Sequence, residues 1–307
     1  MLFYDKFKKM SLEDRRLISD YVQKTLFSTH SLIITEWHLP DMILLNNVES
    51  SYVLLNDYLI IKTIDKSKKE TYFYPFFGDY SCEERISHTV SMLLENYDEN
   101  LKFKFLTLEI IEYFIKFASN YKIEVSFERE ESDYIYDLYN FEKYTSKRKC
   151  TEIFVDKYKP SVEIINEDNT GACLDIQKKH WCDIKKCNGE CEYCARDFLK
   201  KILSNLKILD FEGILIKSNK TEEYMGFSII SKNNDCLTFF EQKHTHVTGC
   251  NFYVFGSILK MFCTEEIKYI NFTYDVGLKS LRFYKEKLCR KKYKLNNKYN
   301  VTITKKT

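Results

Sequence analysis

The tightest constraint on the fold is the order of segments in the second half of the chain. Three consecutive runs, EGILIKSN, EYMGFSIIS and CLTFFEQK, are rich in β-branched and aromatic residues and read as strands. The third passes through a loop containing Gly249 straight into GCNFYVFGSILKMFC, whose apolar spacing is helical. IKYINFTY follows as a strand and LKSLRFYKEKL as a helix. With PSVEIINE as an earlier strand and a helix over about Cys191 to Leu206, the named elements run β-α-β-β-β-α-β-α. The first half has a similar mixture. Ser11-Leu-Glu-Asp14 is a capping box opening a helix to about residue 25, and Ser81-Cys-Glu-Glu84 is a second one for a helix through about Asn96. SLIITEW, SYVLLN, DYLIIKTI, TYFYPFF, LKFKFLTL and YKIEVSFE read as strands, and LEIIEYFIKFAS as a helix. Strands and helices interleaved this way pack as an α/β (α+β mixed) layer structure. The echo between halves implies two similar modules, 1–140 and 141–307.

Composition narrows the function. The 307 residues carry 47 Lys and Arg against 45 Asp and Glu, a net charge of +2. Bulk, sequence-blind binding to DNA needs a strong basic excess and is not expected. Only 8 Gly and 3 Pro leave little room for long flexible linkers. The N-terminus, MLFYDKFKKMSLEDRR, lacks the apolar core of a signal peptide, and no run approaches the roughly 18 apolar residues of a spanning helix. The expectation is a cytoplasmic protein whose 11 cysteines are reduced thiols.

Asp133 to Phe154, DYIYDLYNFEKYTSKRKCTEIF, combines an aromatic cluster with the basic knot Lys147-Arg148-Lys149 at the start of a helix. That helix must stop before Pro160. Cys150, Phe154 and Tyr158 form its apolar stripe, while Lys149, Glu152 and Asp156 face water. Lys147 falls in line with the apolar stripe. It either snorkels to solvent or points into a cleft that takes an anion. Lys285, in the last helix, stands in the same relation to Leu278, Leu281 and Leu288, with Arg282 beside it.

Two further patterns bear on chemistry. Cys182, Cys187, Cys191 and Cys194 cluster with His180 and Trp181, but Cys-x4-Cys-x3-Cys-x2-Cys is not a pair of tight zinc knuckles, and a thiol-rich loop before a helix is the preferred reading. The loop His244 to Asn251 joins a strand to a helix N-terminus, where free backbone N–H groups favour a phosphate. His246-x-x-Gly249-x-Asn251 resembles a degenerate acyl-CoA pyrophosphate loop of the GNAT acyltransferases. His244 and His246 are acid–base candidates.

DYIYD, Tyr144-x-x-Lys147-Arg148-x5-Phe154, Trp181, Phe240-Glu241-x-Lys243, Gly249 and Ile270-Asn271-x3-Asp275-x-Gly277-x3-Leu281-Arg282-x2-Lys285 occur in that order. Together they resemble a bacterial family of unknown function related to the C-terminal domain of phosphatidylglycerol lysyltransferase. The resemblance covers nearly the whole chain. It implies tandem GNAT-like modules, each a mixed, mostly antiparallel sheet flanked by helices. It also implies transfer of an acyl group from acyl-CoA or aminoacyl-tRNA to an amine or hydroxyl acceptor. Glu241, His244 and Lys285 would then be catalytic. His246, Thr248, Gly249, Cys250 and Asn251 would hold the donor, without a metal. Tyr136, Tyr144, Lys147, Arg148, Asn271, Asp275 and Arg282 would bind substrate in a cleft between modules. Peripheral contact with lipid fits the resemblance as well. The alternative is a non-catalytic ligand-binding or regulatory protein on the same scaffold, since a fold does not by itself specify a function.

Overall fold

The computed structural model describes residues 6–96, 100–117, 121–145, 148–183 and 194–305. The chain divides into two compact units, one formed by 1–132 with 296–307 and the other by 133–295. In chain order the first unit contains β1 (Lys8–Lys9), α1 (Arg15–Thr29), α2 (Leu39–Ile43), β2 (Val48–Leu55), β3 (Tyr58–Asp65) and β4 (Glu70–Phe73). It continues with α3 (Glu83–Glu95), β5 (Leu101–Leu106), α4 (Leu108–Phe117) and β6 (Tyr121–Phe127). The second contains β7 (Asp133–Asp137), α5 (Leu138–Thr145), α6 (Lys149–Tyr158), β8 (Pro160–Ile164), α7 (Thr170–Gln177), α8 (Ala195–Leu203) and α9 (Leu206–Leu209). After these come β9 (Phe211–Ser218), β10 (Tyr224–Asn233), β11 (Cys236–His244), α10 (Cys250–Phe262), β12 (Tyr269–Asn271), α11 (Lys279–Leu288) and β13 (Lys294–Asn296). The last strand, β14 (Tyr299–Lys305), returns to the first unit.

Each unit is built on a seven-stranded sheet, in the order β1-β2-β3-β4-β5-β14-β6 and β13-β7-β12-β11-β10-β9-β8. Both sheets are mostly antiparallel with a parallel pair inside, β4/β5 in one and β11/β12 in the other. A helix crosses over between the two parallel strands in each case, as parallel neighbours require. The α/β character read from the sequence is therefore met in both halves. β3 is buried on both faces through Tyr58, Leu59, Ile60 and Ile61, which explains its unbroken apolar run. α10 lays one apolar stripe, Val254, Phe255, Ile258 and Phe262, into the core. Phe141, Phe239, Phe255 and Phe272 form that core's centre, with ring centroids 5.2 Å apart for Phe239 and Phe272 and 5.4 Å for Phe255 and Phe272. Among the described residues no helix is long and apolar enough to cross a membrane.

Several local expectations need correction. SLIITEW is not a strand: Thr35–Trp37 is a 3-10 turn that sends the Trp37 indole inward, where Nε1 donates to the Phe105 carbonyl at 2.9 Å. TYFYPFF keeps its ladder only to Phe73, since Pro75 has no N–H to offer, although Phe77 bridges back to Leu59. The helix expected over 191–206 is α8 and α9, separated at Ser204 and Asn205. Thr170 opens α7, which runs on into a π-helical turn, Lys178–Cys182. β14 had no expectation from sequence. It lies between β5 and β6, with Val301 and Ile303 buried. The buried Lys298 pairs with Glu36 at 2.6 Å just before it.

Ile303→Ala should therefore destabilise the first unit by about 2–5 kcal/mol, the usual cost of truncating a core aliphatic. Urea unfolding followed by Trp37 fluorescence, in a Trp181→Phe background, reads this directly. An unchanged midpoint would mean that the strand contributes little packing.

Candidate functional site

The second unit holds the site, and its geometry begins at Gly249. This residue caps α10 with φ at 93°, a left-handed value that L side chains rarely adopt. A Cβ there would sit against the backbone carbonyl of Cys150, 2.8 Å from its carbon and 3.0 Å from the Phe154 Cβ. The missing side chain lets the N-terminus of α10 press against the first turn of α6. Two positive helix ends are thereby brought together.

Arg148 is the N-cap of α6. Its Nε donates to the Tyr144 carbonyl at 2.7 Å and Nη2 to the Leu288 carbonyl at 3.0 Å. Its guanidinium lies 4.3 Å from the centre of the Phe252 ring, in the first turn of α10. Among the described residues no carboxylate pairs with Arg148. More cations surround the Tyr144 ring, with Arg290 at 5.1 Å, Lys292 at 5.8 Å and Lys143 at 5.9 Å. Asn251 Nδ2 donates to the Tyr284 hydroxyl at 2.9 Å. Burial pushes the Tyr284 hydroxyl up to about 12, and likewise the Cys250 and Cys289 thiols, so neither cysteine is a nucleophile at neutral pH. Lys147 lies outside the described residues. Arg290, Lys292 and Phe252 had no role in the sequence reading, although the run Arg290-Lys291-Lys292 is visible in it.

Beside this basic cluster the sheet parts. β11 and β12 pair only at Cys236/Tyr269, Leu237/Ile270 and Thr238/Asn271. Beyond that point β11 continues along β10 to His244, while Phe272 and Thr273 stay bonded to Tyr134 of β7. Glu241 and His244, three residues apart on β11, point to opposite faces of the sheet. Glu241 pairs with Lys243 at 2.9 Å, and Lys243 lies over the Trp181 ring at 5.1 Å. His244 lies on the α10 side, beside Gly226 and Cys250. Burial lowers its pKa, helped by His246, Lys243 and His180 and opposed by the Thr245 carbonyl. The ring is neutral at pH 7. Nδ1, 2.7 Å from the Thr245 carbonyl, takes the proton by this geometry, which leaves Nε2 as the basic atom.

The remaining candidates form a separate lock between β12, β7 and α11. Lys285 is buried, with Nζ donating to the carbonyls of Phe272 (2.5 Å) and Tyr274 (2.6 Å) and contacting Thr273 Oγ1 at 3.3 Å. The Tyr136 hydroxyl donates to the Lys285 carbonyl at 2.8 Å. Asp275 accepts from Tyr134 at 2.8 Å and from the Arg282 guanidinium at 3.1 and 3.3 Å. Asn271 Nδ2 donates to Asp133 at 3.0 Å. These side chains hold α11 in place through one another and the main chain.

A cavity of about 890 Å³ opens on the other side of the loop into α10. α7, the π turn, the start of β10, Tyr158 and the loop residues Thr245, His246 and Val247 wall it. The His180 and His246 rings stand 6.1 Å apart there. Burial lowers the His180 pKa, with Lys179 and His246 adding to it and Glu223 opposing. Thr248, the next residue, is exposed. Cys182 and Cys194 are buried, whereas Cys187 and Cys191 lie outside the described residues. Among the described residues no three His, Cys, Asp or Glu side chains converge as metal ligands.

The first unit treats the equivalent turn, after β4, differently. The Thr25 hydroxyl accepts the Gly78 N–H at 2.7 Å, Ser28 Oγ accepts that of Tyr80 at 3.0 Å, and Asp79 accepts that of Ser81 at 2.9 Å. These bonds occupy amides of the loop that precedes α3, whereas the N-cap of α3, Cys82, makes no side-chain capping bond.

No family model matches the sequence, and no curated protein matches it. Solved structures do. A conserved protein of unknown function from Bacteroides thetaiotaomicron VPI-5482 superposes with a TM-score of 0.78 at 18% identity, covering 99% of this chain and 100% of that one. The C-terminal domain of a candidate lysylphosphatidylglycerol synthetase from Agrobacterium fabrum gives 0.60 at 12% identity, covering 95% and 92%. A tandem GNAT protein from the clavulanic acid biosynthesis pathway gives 0.50 at 5% identity, covering 97% of each chain. The chain has a GNAT-type fold. The resemblance read from the sequence is thus met in the architecture, and the GNAT-type likeness spans both units.

Gly249→Ala should cost about 1–3 kcal/mol, because it combines a left-handed backbone with a blocked Cβ. Gly171→Ala, in α7 with open space around it, should instead gain about 0.4–1 kcal/mol. Denaturant midpoints of the two variants would separate these effects.

Asp275 gives a pH test. Burial raises its carboxyl, but Arg282, Tyr134 and the Gly277 N–H outweigh it and hold it below the ordinary value. A depressed folded-state pKa stabilises above the unfolded value of about 3.9 and is lost as pH falls through the folded value. Asp275→Asn should therefore be less stable than the parent at pH 7, with the gap closing below about pH 4. Urea midpoints from pH 7 to 3 check it.

Proposed function

We propose that the protein is a GNAT-type acyl- or aminoacyl-transferase whose donor is held by its phosphates at the paired N-termini of α6 and α10. The observation that carries this reading is Arg148. It is stacked on Phe252, bonded among the described residues to carbonyls and to no carboxylate, and set where two helix ends converge. A fixed guanidinium with no carboxylate partner suits phosphate oxygens, and Lys143, Arg290 and Lys292 add to the attraction. The names of the structural neighbours agree, one being a tandem GNAT protein and another a candidate lysylphosphatidylglycerol synthetase domain.

In this reading an amine attacks the donor's acyl carbon. The C–N bond forms as the C–S bond of a thioester, or the C–O bond of an aminoacyl ester, breaks. His244 Nε2 takes the amine proton and returns it to the leaving thiolate or alkoxide. His244 is favoured over Glu241, whose carboxylate is held by Lys243 on the opposite face. The first-turn N–H groups of α10 face the developing negative charge.

Coenzyme A, acetyl-CoA and an aminoacyl-tRNA should be compared by thermal shift and titration. At least one should raise the melting temperature, and Arg148→Ala should weaken it by about 10-fold or more, since a charge-assisted pair contributes roughly 1.5–3 kcal/mol. His244→Gln should lower turnover by about 10²–10⁴-fold with donor affinity unchanged. No shift with any of the three would sink the reading. Donor binding without transfer to any amine would leave a binding protein on the same scaffold.

A further inference from the structure

We infer that the cavity under α7 is the acceptor site, and that it takes a di- or polyamine with a flexible carbon chain. The inference rests on the transferase reading above. It is carried by volume, position and charge. A cavity of about 890 Å³ is roomy for a short aliphatic chain, and Ile176 and Met225 give it an apolar floor.

Its rim is acidic on two walls. Asp168 and Asp175 come from the α7 side, and Glu223 from the approach to β10. None of the three has an ion-pair partner among the described residues. Glu222, beside them, is held by Lys217 at 2.7 Å. Lys179 opposes them, and the imidazoles of His180 and His246 also line the cavity. Exposed carboxylates carried into one cavity by two separate segments favour a ligand with more than one ammonium group, because a single charge pairs with one segment only. A carboxylate or phosphate ligand would meet net repulsion.

Position links the cavity to the donor. Val247 lines it, and Cys250 begins α10 three residues later. Three residues span no more than about 11 Å even when fully extended. The chain thus places an acidic pocket and a basic cluster on either side of one short loop. Oppositely charged ligands are sorted to opposite sides of it, and an ammonium held by Asp175 or Glu223 leaves the second nitrogen of the same molecule available for acylation.

The test uses the whole chain and titration calorimetry with spermidine, 1,4-diaminobutane, n-butylamine and butyrate. Spermidine and diaminobutane should bind at least 10-fold more tightly than n-butylamine, and butyrate should not bind. The double variant Asp175→Asn/Glu223→Gln should lose at least 10-fold in diamine affinity while coenzyme A binding stays as in the parent. Ala172→Trp, which fills the cavity without removing charge, should abolish amine binding and also spare the donor. If n-butylamine binds as well as the diamines, or neither variant affects them, the inference fails. Donor binding lost in Arg148→Ala but amine binding absent in the parent would overturn the acceptor assignment alone. Amine binding with no donor binding would overturn the transferase reading instead.

Discussion

The approach of Gly249 to the Cys150 carbonyl is the contact on which the rest of the site depends. It allows α6 and α10 to meet at their N-termini, and a methyl group at that position would prise them apart. Arg148 spans this meeting, bonded to Tyr144 and Leu288 on one side and stacked on Phe252 on the other. An arginine fixed by neutral acceptors keeps its full charge available to a ligand, whereas one fixed by a carboxylate does not.

The two units differ around the loop that leads into their crossover helix. Each sheet has a parallel pair joined through a helix, and each pair is short, a single register pair for β4/β5 and three for β11/β12. In the first unit the gap beyond the pair is filled by aromatic rings, with Tyr74 and Phe105 at 5.6 Å, and its turn is capped by Thr25, Ser28 and Asp79. In the second, the loop into α10 has a cavity along one stretch and a cluster of cations at its end.

Much of the architecture was legible because it rests on local patterns. Strands β9 to β11 and helix α10 are written in their apolar periodicity, and α6 ends where Pro160 requires. Arg148 and Gly249 stood out for reasons the structure explains. Lys285 stood out for the right local reason, a cation in an apolar stripe, but periodicity cannot say what a buried ammonium meets. It meets carbonyl oxygens at the end of β12, brought there by a turn that the helix pattern does not encode. SLIITEW has strand composition but turns instead, because the Trp37 indole finds its carbonyl partner sixty-eight residues away.

By itself the sequence determined the class of fold, most of its strands and helices, and the placing of Gly249 and Arg148 at helix starts, since these follow from spacing and backbone preference within a few turns of chain. Only the tertiary structure decided that β14 joins the first unit, that Arg290 and Lys292 gather around Tyr144, that Glu241 and His244 face apart, and that Asp175 and Glu223 share a cavity with His180. Each of those depends on contacts between residues far apart in the chain. Such contacts are selected by the packing of whole layers, and no local period records them.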